Sequence, residues 1–331
     1  MFTQNASNCM KLFNLRRSPQ ITEALIHRNL AVYLLHSPLA DSKRFFLTLD
    51  EALQAGAARI HETGRVGELE VENLVDIDLY AQAGDVMKGG WQDRALGMDC
   101  IVPQRSTKRP RRMRLRTFCV ERGRWQQREE GAPGADQFES AQHSGVSRDL
   151  KLSLQQRRSQ TAVWSSVDAM QSRLSRSLGV DIRDVSCPSS LPLAAENEVV
   201  NRRLQGYLQA FDNLLVDKAD VTGFAFAVNG KLDSADLYAS PDLFRKLWPK
   251  LLEAAALEAL AESETMSATC ATPDAPAVAE WIKYARRGAK TSHAVSPRVT
   301  LVVRENDRQV SFETMDAEQR NACVHQSILS R

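Results

Sequence analysis

Two short polar motifs hold the densest chemistry in the chain: Gly89-Gly90-Trp91-Gln92-Asp93-Arg94 and Cys119-Val120-Glu121-Arg122-Gly123-Arg124-Trp125. Paired glycines let a backbone approach a neighbour or ligand closely and adopt φ angles closed to other residues. Gln92 and Arg94 lie two apart, so on an extended chain they project to one side, with Trp91 and Asp93 opposite. An amide beside a guanidinium cradles an anion or a nucleotide; alternatively, Arg94 forks onto a structural carboxylate at a sheet corner. Glu121 follows an apolar strand, where desolvation raises a carboxyl's pKa and fits it for general acid or base work. Pairing with Arg94 or Arg124 would instead hold it ionised and lock the turn. Trp125 either stacks on a ligand ring or plugs the core. Cys119 is a nucleophile only with a base nearby, and the nearest histidines in sequence, His61 and His143, sit in no recognisable pattern.

A second cluster is basic: Arg105, Lys108, Arg109, Arg111, Arg112, Arg114 and Arg116. Arg112, Arg114 and Arg116 alternate with Met113 and Leu115, which on a strand makes one charged face above one apolar face. Such a face can grip phosphates, but without interleaved aromatic residues it reads as a solvated face or a protected sheet edge, and a nucleic-acid site is disfavoured. Glu62, Asp76, Asp78, Asp233 and Asp236 fit no metal-binding loop and no two-histidine pattern accompanies them, so neither a metal nor a cofactor is expected.

The 331 residues are 43% hydrophobic and 25% charged, enough for a sizeable core in one large domain or two smaller ones. Forty-three basic against forty-one acidic side chains leave a formal charge of +2, so no global field points to nucleic acid or an anionic membrane. No apolar run reaches the roughly 18 residues of a membrane span, and the first residues lack a secretory pattern. Six scattered cysteines, with no Cys-x-x-Cys pair, suit reduced thiols and a cytoplasmic protein.

The elements that must position these groups follow from periodicity. Leu30 to Leu35 forms an apolar strand punctuated by Ser37-Pro38, and Leu49 to Leu53 a short helix that Gly56 can end. Gly67 to Leu74 alternates charged and apolar side chains as a half-buried strand; strands at Asp78 to Ala81, Met98 to Val102 and Met113 to Val120 follow. Close spacing of short strands predicts an antiparallel sandwich or barrel. Residues 126–143 read as a surface loop. Leu150 to Leu178 reads as helix, and Val200, Leu204, Tyr207, Leu208, Phe211 and Leu215 stripe another. Phe224 to Val228, Asn229-Gly230 and Lys231 to Leu237 predict a type I′ hairpin. Ser240 caps the next helix, with Pro241 at its first position and Pro249 as a kink or divide. Val299 to Arg304 and Gln309 to Thr314 predict a second hairpin.

Gly89 to Arg94, Cys119 to Trp125, Gln160-Thr161-Ala162-Val163-Trp164, and Gly223 through Ala235 with Ser240 to Pro249 resemble, in order and spacing, the bacterial ADP-ribosylglycohydrolase- and rhodanese-phosphatase-associated protein domain family. The resemblance covers about residues 22–262. The family is named for its genomic company, so the resemblance implies nucleotide, ADP-ribose or phosphoester metabolism as an association, without a reaction. Its first motif usually reads closer to Gly-Ala-Lys-Gln-Asn-Arg. Trp91 thus stands in place of a lysine and Asp93 in place of an asparagine, which implies a lost or changed ligand if that lysine met a phosphate.

The expected fold is α+β, an antiparallel sandwich-like layer with packed helices and a C-terminal hairpin. Residues 22–262 form a single domain, strand-rich over 22–125 and helix-and-hairpin over 148–262, and 263–331 form an extension with a helix and a hairpin. The leading functional expectation is a binding or accessory protein for a small anionic, nucleotide-like ligand held by Gly89, Gly90, Gln92, Arg94, Arg124 and Trp125. One alternative is a hydrolase of a nucleotide, ADP-ribose or phosphoester with Glu121 as general acid or base. The other is a protein-interaction scaffold in which both motifs only brace turns.

Overall fold

The computed structural model describes residues 19–36, 45–106, 112–123, 138–141, 146–265 and 271–331. Ser37-Pro38, Lys108, Arg109 and Arg111 of the basic run, most of the loop expected at 126–143 with His143, and the candidate ligand residues Arg124 and Trp125 lie outside them.

The fold is α+β, with extensive antiparallel sheets in sandwich-like layers. Nine strands make the main sheet, in the order β1 (Gln20–Ile21), β3 (Leu30–His36), β13 (Val221–Val228), β14 (Lys231–Tyr238), β18 (Ala322–Ser330), β17 (Gln309–Asp316), β16 (Val299–Glu305) and β15 (Ala289–Ala294), with β2 (Leu25–His27) also on β3. A six-stranded sheet runs β12 (Glu139–Ser140), β8 (Val86–Lys88), β9 (Arg94–Leu96), β11 (Arg112–Cys119), β6 (Glu68–Asn73) and β5 (Ala58–Glu62). A three-stranded sheet joins β10 (Cys100–Val102), β7 (Leu79–Ala81) and β4 (Leu47–Thr48). The helices are α1 (Leu49–Gln54), α2 (Arg148–Leu152), α3 (Gln160–Leu178), α4 (Leu191–Ala195), α5 (Glu198–Phe211), α6 (Pro241–Ala261) and α7 (Ala275–Tyr284), with a π-helical turn over Ser153–Arg157.

The centre of the main sheet is apolar on both faces because both are covered. Leu30, Val32 and Leu34 of β3, with Phe224, Phe226 and Val228 of β13, enter the core that α5 and α6 close. Their neighbours in sequence, Ala31, Tyr33, Leu35, Ala225 and Ala227, face Val278 and Ile282 of α7. Asn229 and Gly230 take φ of 50° and 73°, as the I′ turn between β13 and β14 requires. Pro249 sits inside α6, which continues through it as one helix. A second core lies between the smaller sheets, built from Leu69, Val71, Leu96 and Leu115 on one side and Leu79, Ala81, Cys100 and Val102 on the other.

Two features depart from the sequence reading. The helix expected over 150–178 is broken: α2 passes into the π turn, Arg158 adopts a left-handed conformation (φ 51°), and Ser159 caps α3 afresh. The residues after 262 carry the expected helix and hairpin, but they complete the main sheet rather than append to it. The last strand, β18, pairs with β14 on one side and β17 on the other.

Candidate functional site

The two polar motifs meet, as close antiparallel pairing of β9 with β11 requires: Arg94 stands opposite Cys119, and Val120 N–H reaches Asp93 O at 3.0 Å. Asp93 N–H donates to Glu121 Oε2 (3.1 Å), Gln92 Nε2 to Glu121 O (3.3 Å) and Gly89 N–H to Asp93 Oδ1 (3.0 Å). Arg94, fully buried, forks onto Glu62 at 2.9 and 3.1 Å and donates to the carbonyls of Glu68 and Arg65. Gly90 (φ +56°) makes room for this arrangement, since a Cβ there would collide with the Glu62 carboxylate and the Phe138 ring. Gln160, at the start of α3, clasps the same turn by accepting from Cys119 N–H (2.9 Å) and donating to Cys119 O (2.7 Å).

This geometry redirects the candidate residues. Gln92, Asp93, Arg94 and Glu121 are all buried, with Glu121 only 1% exposed, while Trp91 turns outward at 37%. The glycine turn cancels the strand alternation that would have set Gln92 and Arg94 on one open side against Asp93. Gly89 spends its N–H on Asp93, Glu121 accepts from the backbone, and Arg94 takes the structural-carboxylate role at a sheet corner. Burial pushes the Cys119 thiol up to about 11, so it is not a thiolate nucleophile near neutrality. The acidic candidates are likewise engaged: Glu62 with Arg94, Asp78 with Arg298, Asp233 with Arg148, and Asp236 with Lys151 and His325.

An open cleft of about 440 Å³ lies elsewhere, where β11, the end of the π turn and β15 converge. Strand alternation sets Arg112, Arg114 and Arg116 on one exposed face of β11. Glutamates on β6 partner that face: Arg112 reaches Glu72, its register partner (3.5 Å), and Glu70 (3.1 Å), and Arg114 reaches Glu68 (3.5 Å), the residue opposite Arg116. Arg116 instead lies over the Phe118 ring, 5.4 Å from its centroid. Across the cleft, the left-handed turn at Arg158 brings in a second such guanidinium, steadied by its own Nε–H to Gln155 O at 3.0 Å. Among the described residues neither Arg116 nor Arg158 has a carboxylate within ion-pair reach. Partial burial, then the charge of Arg116, hold Arg158 below the usual arginine range. Ser292, His293 and Val295 form another wall; Met98 and Cys100 form a floor. Burial and then Asp99 push the Cys100 thiol up to about 12, so that floor is uncharged.

Behind the floor sits a buried charged centre. His325, 4% exposed, donates from Nδ1 to Asp99 (2.7 Å) and from Nε2 to Asp236 (3.0 Å), and its ring stacks on Tyr238 at 4.4 Å. Asp99 also accepts from Tyr80, Thr314 and Ala83 N–H; Asp236 pairs with Lys151 at 3.2 Å. Burial opposes an imidazolium, but Asp99 and Asp236 outweigh it and raise His325 to about 9. Burial likewise opposes the two carboxylates; His325 for Asp99, and Lys151 and His325 for Asp236, hold both below the usual range.

Sequence reasoning singled out Arg114 and Arg116 but not Arg158, His293, Asp99 or His325. Asp99 had one signal, an ionisable side chain inside an otherwise apolar run, which demands a counter-charge; His325, followed by Gln326 and Ser327, had none. Ser159 followed by Gln160 carried the capping signal that would have exposed the break at Arg158.

No helix of the described residues is long and apolar enough to cross a membrane. Searches of curated proteins and of solved structures returned no match. A family model described as the ARG and Rhodanese-Phosphatase-superfamily-associated Protein domain matches residues 18–329, beyond the 22–262 over which the resemblance was drawn. The chain belongs to that family.

Proposed function

We propose that this protein is a binding or accessory protein that recognises a small anionic, nucleotide-like ligand, and that it does so in the arginine cleft rather than at the paired turns. The observation that carries this reading is the juxtaposition of Arg116 and Arg158, two guanidiniums without carboxylate partners among the described residues, in a cleft of about 440 Å³. Like charges brought together are unfavourable until an anion bridges them, and guanidinium forks suit carboxylate or phosphate oxygens. The volume falls in the range of small-molecule sites. Among the described residues of the basic run, Arg112 and Arg114 are paired with glutamates, which favours a compact anion over an extended nucleic acid. The hydrolase alternative finds no such support, because the Glu121 carboxylate is sealed and occupied by Asp93 N–H. A cytoplasmic setting belongs to the same proposal, supported by free thiols at Cys100, Cys119, Cys187 and Cys323.

The test is a thermal-shift screen of the full chain against nucleotides, ADP-ribose and sugar phosphates, repeated on Arg116→Gln and Arg158→Gln. Ligand at about 100 times its Kd adds about 2.7 kcal/mol to apparent stability, a clear rise in Tm that both variants should lose. A panel that leaves the wild type unmoved, or a shift retained in both variants, refutes the site.

A further inference from the structure

Resting on that reading, we infer that the cleft selects a phosphomonoester dianion: a terminal phosphate between Arg116 and Arg158, with the remainder of the molecule over Met98, Cys100 and Val295. The charge count comes first. Of the three arginines in the cleft, Arg114 is shared with Glu68, which leaves two positive charges to be met, by Arg116 and Arg158. Both line a single cleft, so one bound group can meet both, and its complement is a doubly charged group. A carboxylate offers two oxygens and is filled by one guanidinium fork; a terminal phosphate offers three and can accept from two forks at once. A phosphodiester carries one charge and only two free oxygens.

The remainder of the cleft fits the same class. Its volume exceeds what a phosphate alone would fill, and its floor is a thioether and a neutral thiol, with Val295 and Ser292 at the wall, the latter as a hydroxyl partner. That combination accepts the body of a phosphorylated sugar or nucleoside without adding a charge.

The experiment is titration calorimetry on the full chain at about pH 7.5, above the second phosphate ionisation near 6. The probes are ribose 5-phosphate, its methyl phosphodiester, succinate and ribose. Ribose 5-phosphate should bind at least about tenfold tighter than the diester or succinate, the worth of one charge-assisted hydrogen bond. Arg116→Gln and Arg158→Gln should each erase that advantage, and Arg112→Gln, outside the cleft, should preserve it. If the diester or succinate binds as well as the monoester, the dianion assignment falls while anion recognition stands. Should none of the anions bind, both readings fall together. A monoester preference surviving in both cleft variants also overturns the assignment.

Discussion

Replacing His325 with glutamine tests whether the charge at the centre of this fold is a stabilising element. The imidazolium bridges Asp99, which precedes β10, to Asp236 of β14, and so ties the three-stranded sheet to the main one. Folded, His325 holds its proton up to about 9, against 6.5 when unconstrained. Between those values the folded state binds a proton that the unfolded chain has released. The resulting stability is fully present below about pH 6.5 and is lost as pH rises through 9. At 1.36 kcal/mol per pKa unit, the contribution is on the order of 3 kcal/mol. Because the ring is buried, solvent screening does little to reduce it. His325→Gln also leaves Asp99 and Asp236 facing each other with only Lys151 nearby, so about 3–5 kcal/mol should be lost at pH 7. Urea unfolding at intervals from pH 6 to 9 measures both effects. The wild-type advantage over the variant should shrink by about 2–3 kcal/mol over that range, with Asp233 and Asp85, which burial raises to about 7 and about 6, and the buried cysteines common to both proteins and cancelling in the comparison. Parallel curves for the two proteins, or a wild type flat to pH 9, would refute the reasoning.

Three further substitutions separate bracing from binding. Arg94→Met strands Glu62 and two backbone carbonyls, and chemical denaturation should show a loss of about 3–5 kcal/mol with ligand affinity unchanged in whatever protein remains folded. Gly90→Ala forces a Cβ into Glu62 and Phe138 at positive φ and should lower stability by at least about 2 kcal/mol; the same assay, finding no loss, would contradict the close approach described for that turn. Arg158→Gln removes a like charge beside Arg116 and one hydrogen bond to Gln155 O, so its Tm without ligand should stay within the effect of about 0.5 kcal/mol or rise, and a large drop would mean that Arg158 is mainly a structural residue.

Elements governed by local rules were legible in the sequence. Thr48 and Glu51 form the reciprocal capping box at the start of α1, Gly56 follows its end with φ +64°, and Glu68–Asn73 alternates half-buried and buried side chains as its pattern demanded. The meeting of the Gly89 and Cys119 motifs was also legible as a turn-to-turn contact, but its accessibility was not. Whether Arg94 faces a ligand or Glu62 depends on where β5 ends, and β5 reaches the turn only through the tertiary pairing of β5, β6, β11 and β9. The arginine face of β11 was visible as well, and its pattern alone spoke for a solvated surface. What distinguishes Arg116 from Arg112 is that Glu68, opposite Arg116, meets Arg114 instead, and that Arg158 arrives from a broken helix, both of which are non-local. Strands β15 and β18 went unread for a related reason: β15 is an exposed edge with little alternation, and β18 carries His325, Gln326 and Ser327 in its interior.

The buried centre and the cleft are joined by alternation at a single point in the chain. Met98 and Cys100 face the cleft, and Asp99 between them faces His325. The floor of the site is therefore fixed in depth by a charged cluster that cannot shift without unpairing Asp99 or Asp236. Its guanidiniums come from elements held differently: Arg116 from the last turns of a paired strand, Arg158 from a left-handed residue closing a π turn whose N–H returns to Ser153 O at 2.9 Å. Floor and arginines are thus mounted on separate elements. Perturbing His325 should then alter how the body of a ligand fits, whereas perturbing Arg116 or Arg158 should alter the response to its charge. These effects are separable by comparing ribose 5-phosphate with inorganic phosphate. His325→Gln, under conditions where it remains folded, should weaken ribose 5-phosphate more than inorganic phosphate, and equal weakening would show that the floor takes no part in recognition.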